Sequence, residues 1–385
     1  MELNNRVPAY IIPRYSLTGD VLSYQRCGLQ YRYYNGSSLP PSRPVQFWTG
    51  EFVHGCLEDA FSIWLTHKND PKYQFPWPIH ITEFPKPDSV NNRLDNDIGV
   101  IGDRVEARLS ATQKAPRSAV ARQAAYDRVN AAINILAPHL FPLITSVEQK
   151  ISGSRNLISP VERTDKYELF GIADVISHIE YQDNPNNRIV SMLAEAIPGL
   201  SGSFDIIVDY KAARRPNMNE KLRNHHEWQV QTYSWLRSQI ANNTPIKAGI
   251  VVYINELFPT KSDLREMKRE LQKGICDVAP ETGGADYYAL NRWDEHSDLP
   301  ALSNDFLLRR ALRFISASSV ERNSAVQHID EVVQEIESCV QLEYNSGHIL
   351  SSWNPKYNKA DCAACDFRRF CSQEGKDSWS VQAPG

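Results

Sequence analysis

The sequence predicts an α/β protein with a central mixed β-sheet flanked by helices. Four segments rich in β-branched and aromatic residues, 144–152, 167–180, 204–211 and 248–254, read as strands. Between the last two, HHEWQVQTYSWLRSQ reads as a helix. Strand, strand, helix, strand is the order of an α/β core, and helical spacing on both sides of it supplies the flanking layers.

The first 45 residues are rich in Pro and Tyr, with a short helix expected from about Thr18. In WTGEFVHGCLEDAFSIWLTHK, residues Phe52, Val53, Leu57, Phe61, Trp64 and Leu65 recur at helical spacing, so one side of this helix is buried. Residues 68–103 are dense in Pro, Asn and Asp and read as loop. An Ala-rich amphipathic helix is expected from about Ala115 to Leu140. Beyond the strands, 258–302 reads as a polar insertion with a helix at 261–273, 307–316 as a further strand, and Val320 to Tyr344 as a long amphipathic helix. The expected organisation is a single domain over 1–375 with insertions at 68–103, 181–203 and 258–302, followed by a flexible polar tail at 376–385.

At 385 residues and 42% hydrophobic content, the chain can bury one large core or two modest ones. No apolar run reaches the length of a membrane span, and MELNNRVPAYIIPRY lacks a basic region followed by an apolar one, so the expected location is the cytoplasm. A net charge of -4 argues against a protein that coats duplex nucleic acid, while leaving room for a local basic groove. There is no Walker A sequence and hence no visible ATP motor.

The chemistry concentrates on FDIIVDYKAARRP, 204–216. Side chains two apart in a strand point the same way, so Asp209 and Lys211 share a face and Tyr210 takes the other. Acid-x-Lys triplets also occur at 70–72, 266–268 and 374–376, but without a buried strand in front of them. A second strand, YELFGIADVISHI, sets Asp174 among apolar residues, where an unpaired charge is costly. Two converging aspartates repel unless a cation sits between them, and Mg2+ and Mn2+ favour carboxylate oxygens. His54 on the first long helix would add an imidazole and tilt the choice toward Mn2+. The plainer alternative is an Asp209–Lys211 ion pair ending the strand. Gln229 and Tyr233, at i and i+4 of a helix, share one face and could position the lysine or a DNA strand, or simply pack. Glu148, on the preceding strand, is a further candidate. Arg214, Arg215, Arg223, Arg368 and Arg369, interleaved with aromatic residues, are candidates for a single-strand groove.

Seven cysteines without a secretory signal make a poor disulfide framework. Cys56, Cys276 and Cys339 are isolated and read as inert thiols. Cys27 stands near the start, while Cys362, Cys365 and Cys371 form C-x2-C-x5-C near the end, a spacing at which zinc accepts thiolates.

Taken in order, Gly50-x3-His54, Gly171-x2-Asp174, Asp209-x-Lys211 and Gln229-x3-Tyr233 resemble the RecB-like branch of the PD-(D/E)xK nuclease superfamily. The cysteine arrangement resembles its iron-sulfur members, including the CRISPR-associated adaptation nucleases and the AddB nuclease domain. The resemblance implies a restriction-endonuclease-like core, Mn2+ or Mg2+ held by His54, Asp174, Asp209 and the Tyr210 backbone carbonyl, and a catalytic Lys211. It also implies a 4Fe-4S cluster, with Zn2+ as the alternative, on Cys27, Cys362, Cys365 and Cys371, joining the terminal segments. The expected function is a metal-dependent DNA nuclease, a single-strand or end-directed exonuclease in DNA repair, recombination, phage defence or CRISPR adaptation. The alternative is a non-catalytic DNA-end-binding subunit working with a helicase or integrase partner.

Overall fold

The computed structural model describes residues 10–36, 47–81, 94–240, 244–363 and 365–371. The chain runs β1 (Arg14–Ser16), α1 (Leu22–Arg26), α2 (Gly28–Gly36), α3 (Phe47–His67), α4 (Ile98–Ala111), α5 (Ala119–Ala131), α6 (Ala137–Leu140), β2 (Ile144–Val161) and β3 (Thr164–Glu180). It continues through α7 (Arg188–Ala196), β4 (Ser203–Lys211), α8 (Lys221–Ser238), β5 (Ile246–Tyr253), α9 (Lys261–Lys273), α10 (Ala285–Arg292), α11 (Asn304–Ala311), β6 (Leu312–Ser316), α12 (Ser319–Ser346), α13 (Ile349–Ser352) and α14 (Lys359–Ala363). Six strands form one mixed sheet in the order β1-β3-β4-β5-β6, with β2 paired to β3. The pairs β1/β3 and β4/β5 are parallel and the others antiparallel. This mixed sheet with helices on both faces is consistent with a restriction-endonuclease-like α/β fold.

The two-residue period of β4 decides which layer each side chain joins. Phe204, Ile206, Val208 and Tyr210 pack with α3 to α7, in a core that includes Phe52, Leu57, Ile101 and Ile189. Ile207 faces the other layer, where Tyr233 and Leu236 of α8 meet Val326, Ile329, Val333 and Ile336 of α12. Each such apolar side chain contributes about 1.5–3 kcal/mol by leaving water. Two helix ends are written in the sequence. Ser318 and Glu321 form a reciprocal capping box at the start of α12, and Gly347, at φ 70°, closes it in the left-handed region. Thr260 and Asp263 cap α9 in the same way.

Four sequence expectations change. Within the segment read as loop, 98–103 begins α4: Ile98, Ile101, Val105 and Leu109 give a buried helical stripe, and Asp97 caps it, but the polar residues upstream obscure the signal. The 181–203 insertion contains α7, whose Ile189, Val190, Met192 and Leu193 enter the main core rather than standing off as a loop. In 307–316 only Leu312–Ser316 is strand, because Ser303 caps a helix that runs to Ala311. The helix expected from Ala115 starts at Ala119, after the Ser118 cap. The tail at 376–385 and residues 82–93 lie outside the described residues.

The underside of α12 carries buried acids that anchor other elements. Arg32 of α2 donates twice to Glu343 at 2.6 Å, and Trp353 Nε1 donates to the same carboxylate at 2.6 Å. Arg163, just before β3, donates twice to Glu337 at 2.7 Å, while Arg155 of β2 pairs with Asp330. These bidentate pairs fix the register of the β2–β3 hairpin and of α2 against α12.

Candidate active site

One edge of β3 is shared by two partners. Its residues Glu168 to Phe170 pair with β1, and Val175 to Glu180 pair with β4, leaving 171–174 between them without a strand on that edge. Beyond Val208, β4 parts from β3 but stays paired with β5 through Lys211. Asp174 lies at this fork. Its Oδ2 accepts from the Tyr210 N–H at 2.7 Å, so a side chain takes over where the ladder ends.

The packing of β3 changes at the same point. Leu169 and Ala173 belong to the α8/α12 layer, whereas Val175 and Ile179 belong to the α3 layer. On β2, Val147 pairs with Val175 and Gln149 with Ala173, which sets Glu148 across from Asp174. Glu148 has φ 47°, a left-handed conformation that costs a side-chain-bearing residue of order 1–3 kcal/mol. Two like charges set across a sheet also destabilise it. A cation bound between them removes that repulsion.

His54, Glu148 and Asp174 each offer a ligand atom, all within 4.8 Å of one another. The Tyr210 carbonyl accepts from His54 Nε2 at 3.1 Å, which leaves the lone pair of the neutral ring on Nδ1, 3.8 Å from Asp174 Oδ1. Burial, and then the charge of Asp209, push the Asp174 carboxyl up to about 8. Burial, a hydrogen bond shared with Glu58, and the Asp174 charge push Glu148 up to about 7. Glu58 is one helical turn past His54 on α3 and was not singled out in the sequence; the i, i+4 spacing to His54 was the available signal. This oxygen-rich set with one imidazole fits Mn2+ or Mg2+.

On the opposite face, Lys211 Nζ donates to Gln229 Oε1 at 2.8 Å, and Gln229 Nε2 donates to the Tyr233 hydroxyl at 3.3 Å. Lys211 Nζ also stands 2.7 Å from the buried Asp209 Oδ2, outside hydrogen-bond geometry, so that oxygen is left with an ion pair alone. Gln229 and Tyr233 thus position the lysine. A Cβ on Gly171 would come within 2.5 Å of the Tyr233 ring, which explains the glycine. Gly50 has no comparable constraint.

Three of the five candidate arginines depart from expectation. Arg215 is buried, bonded to Asp277 at 2.7 Å and to the carbonyls of Arg310 and Leu312, and Arg223 pairs with the same aspartate. Arg214 is tied to Glu220 and Glu270 at 2.5 Å. Arg215 therefore joins α11 to the loop after β4 and has no face left for DNA, and Arg214 is committed to the same structural network. Cys27, Cys362, Cys365 and Cys371 line one cavity of about 130 Å3 beside Tyr33 and Phe367. Burial pushes the Cys365 thiol up.

The raised carboxyls give metal binding a pH dependence with a definite sign. Below about pH 7 both Glu148 and Asp174 must release a proton to bind a cation, at about tenfold in affinity per pH unit for each proton. Mn2+ affinity should rise steeply up to about pH 8 and level off above it, with proton release visible by calorimetry in two buffers. In the metal-free protein the raised values act the other way. The folded state holds these protons more tightly than the unfolded chain, so the stability they contribute is lost as pH rises from about 4 to about 8. A pH-independent affinity would contradict the assignment of these two ligands.

No helix among the described residues is long and apolar enough to cross a membrane. A comparison with curated proteins finds no match. Residues 201–372, from β4 with Asp209 and Lys211 to the last of the clustered cysteines, match the family model of the PD-(D/E)XK nuclease superfamily. That stretch is thus similar to a superfamily whose members are generally metal-dependent nucleases.

Proposed function

We propose that the chain is a metal-dependent deoxyribonuclease that degrades single strands from free ends. The observation that carries this is the fork itself, where His54, Glu148 and Asp174 gather on one side and Lys211 is braced by Asp209 and Gln229 on the other. A bound divalent cation would polarise the scissile phosphate and lower the pKa of an attacking water. His54, Glu148 and Asp174 would hold that ion. Asp209, which the resemblance makes a ligand, lies outside the tight group and fixes Lys211 through its charge. Lys211 would present a remaining N–H to a phosphate oxygen or to the water, in a site where a fixed donor acts strongly on developing charge.

The cysteine cavity supports the terminal clasp. Its volume is about ten times what a single water needs, which suits a multi-atom 4Fe-4S cluster better than one Zn2+. Its ligands come from the loop after α1 and from the segment after α13, so the group would tie both ends of the chain together without taking part in hydrolysis. Iron and sulfide analysis of anaerobically purified protein tests this, and zinc alone would replace the cluster. The role fits DNA repair, recombination or phage defence, with a helicase or integrase as a partner.

Free-end dependence is tested with linear single strands against closed circular single strands in Mn2+. The linear strand should disappear at least tenfold faster. Equal rates would refute end-directed cleavage.

A further inference from the structure

Two clefts open on the fork, and their charges differ. The cleft beside His54 is lined by Glu51, Glu58 and Glu148, and its Arg108 is held by Asp59. The other, about 700 Å3, has Lys211 and Gln229 in its wall and is lined by Arg26, Lys221 and Lys356 against a single acid, Asp361. We propose that the nucleic acid strand lies in this second cleft, held by Arg26, Lys221 and Lys356 through its phosphates and by Tyr357 through a base. The proposal rests on the nuclease reading above and specifies its substrate path.

Three observations support the assignment. Among the described residues, most arginines are committed to carboxylates, as Arg214, Arg215, Arg223, Arg310 and Arg313 show. Among the described residues, Arg26 and Lys221 have no carboxylate partner within ion-pair distance, and Lys356 spends Nζ on the Gln25 carbonyl at 3.0 Å. A row of unneutralised cations suits a polyanion. Tyr357 is 58% exposed and Leu222 45%, giving a stacking surface between the charges, the combination single-strand sites use. Lys221 also begins the eighteen-residue helix α8, so the partial positive charge of that helix end adds to the same side of the cleft. The negative cleft beside His54 would repel a phosphate backbone until its acids are neutralised by metal.

The wall carrying Lys356 and Tyr357 is shared. Lys356, Tyr357 and Asp361 line both this cleft and the cysteine cavity, and the Lys356 N–H lies 3.4 Å from Cys27 Sγ. The cysteines therefore set the position of one side of the strand path.

The test is equilibrium binding of a fluorescein-labelled oligothymidylate of about 12 nucleotides, by anisotropy in Ca2+ at several salt concentrations. The triple variant Arg26→Ala/Lys221→Ala/Lys356→Ala should bind at least tenfold more weakly, with the salt slope reduced by about 0.7 per cation removed. Tyr357→Ala should weaken binding several-fold and Tyr357→Phe should restore it. Arg108→Ala, in the opposite cleft, should bind as the wild type does. Circular dichroism melts confirm that each variant is folded; should the triple variant not fold, Arg26→Ala and Lys221→Ala are measured singly. Wild-type affinity and salt slope in the cation variants, or a loss confined to Arg108→Ala, would overturn the proposal. If strand binding follows these expectations while the wild type hydrolyses no DNA in Mn2+, the path stands and the nuclease reading fails.

Discussion

Lys211→Ala should slow single-strand cleavage about 10^3-fold while leaving Mn2+ affinity close to that of the wild type. The separation follows from geometry. Lys211 Nζ is held by Gln229 Oε1 and by the Asp209 charge on one face of β4, whereas the ligand group of His54, Glu148 and Asp174 lies at the fork on the other side of Tyr210. Asp174→Asn should lose both cleavage and metal affinity, because it removes a carboxylate shared between the ion and the Tyr210 N–H. Gln229→Ala should be milder than either, at about tenfold, since Asp209 still restrains the lysine. Single-turnover rates and calorimetric metal titrations on the same preparations separate these cases. A Lys211→Ala enzyme that cleaves at the wild-type rate would remove the lysine from the mechanism.

Glu343→Ala should destabilise the fold by about 3–5 kcal/mol, the cost of leaving a buried charge without its partner. Arg32 is fully buried and Glu343 nearly so, and the same carboxylate accepts from Trp353 Nε1, itself buried. One residue thus links α2, α12 and the segment entering the cysteine cavity. Urea unfolding would show a lower midpoint, together with faster proteolysis near residues 354–363. A shift below about 1 kcal/mol would mean that solvent reaches Arg32.

The sequence was informative where a local rule acts and weak where the fold sets the geometry. The alternation of β4 gave the faces of Asp209, Tyr210 and Lys211, because the strand period is independent of its surroundings. The Gln229/Tyr233 spacing revealed a shared helix face, and the structure adds its use: the tyrosine fills the space left at Gly171. Glu148 is only a further candidate in the sequence, since neither its positive φ nor its place across from Asp174 is written in neighbouring residues. Glu58 shares a helix face with His54 at i, i+4, but that spacing alone does not show that its carboxyl meets Glu148. Arg214 and Arg215 were misread because their carboxylate partners, Glu270 and Asp277, lie more than 50 residues away, inside a segment that looked like a peripheral insertion. The residues that face the second cleft with free charge, Arg26 and Lys221, belong to helices that composition alone did not mark as basic.

The most direct measurement is the degradation of an end-labelled single-stranded oligonucleotide by the wild-type protein in Mn2+, in Mg2+ and in excess EDTA, with Asp174→Asn alongside. His54, Glu148 and Asp174 are gathered to hold a cation, so cleavage should proceed in Mn2+ and Mg2+, stop in EDTA, return on adding metal back, and be absent in Asp174→Asn under every condition. Cleavage that persists in EDTA, or that survives in Asp174→Asn, would contradict the account.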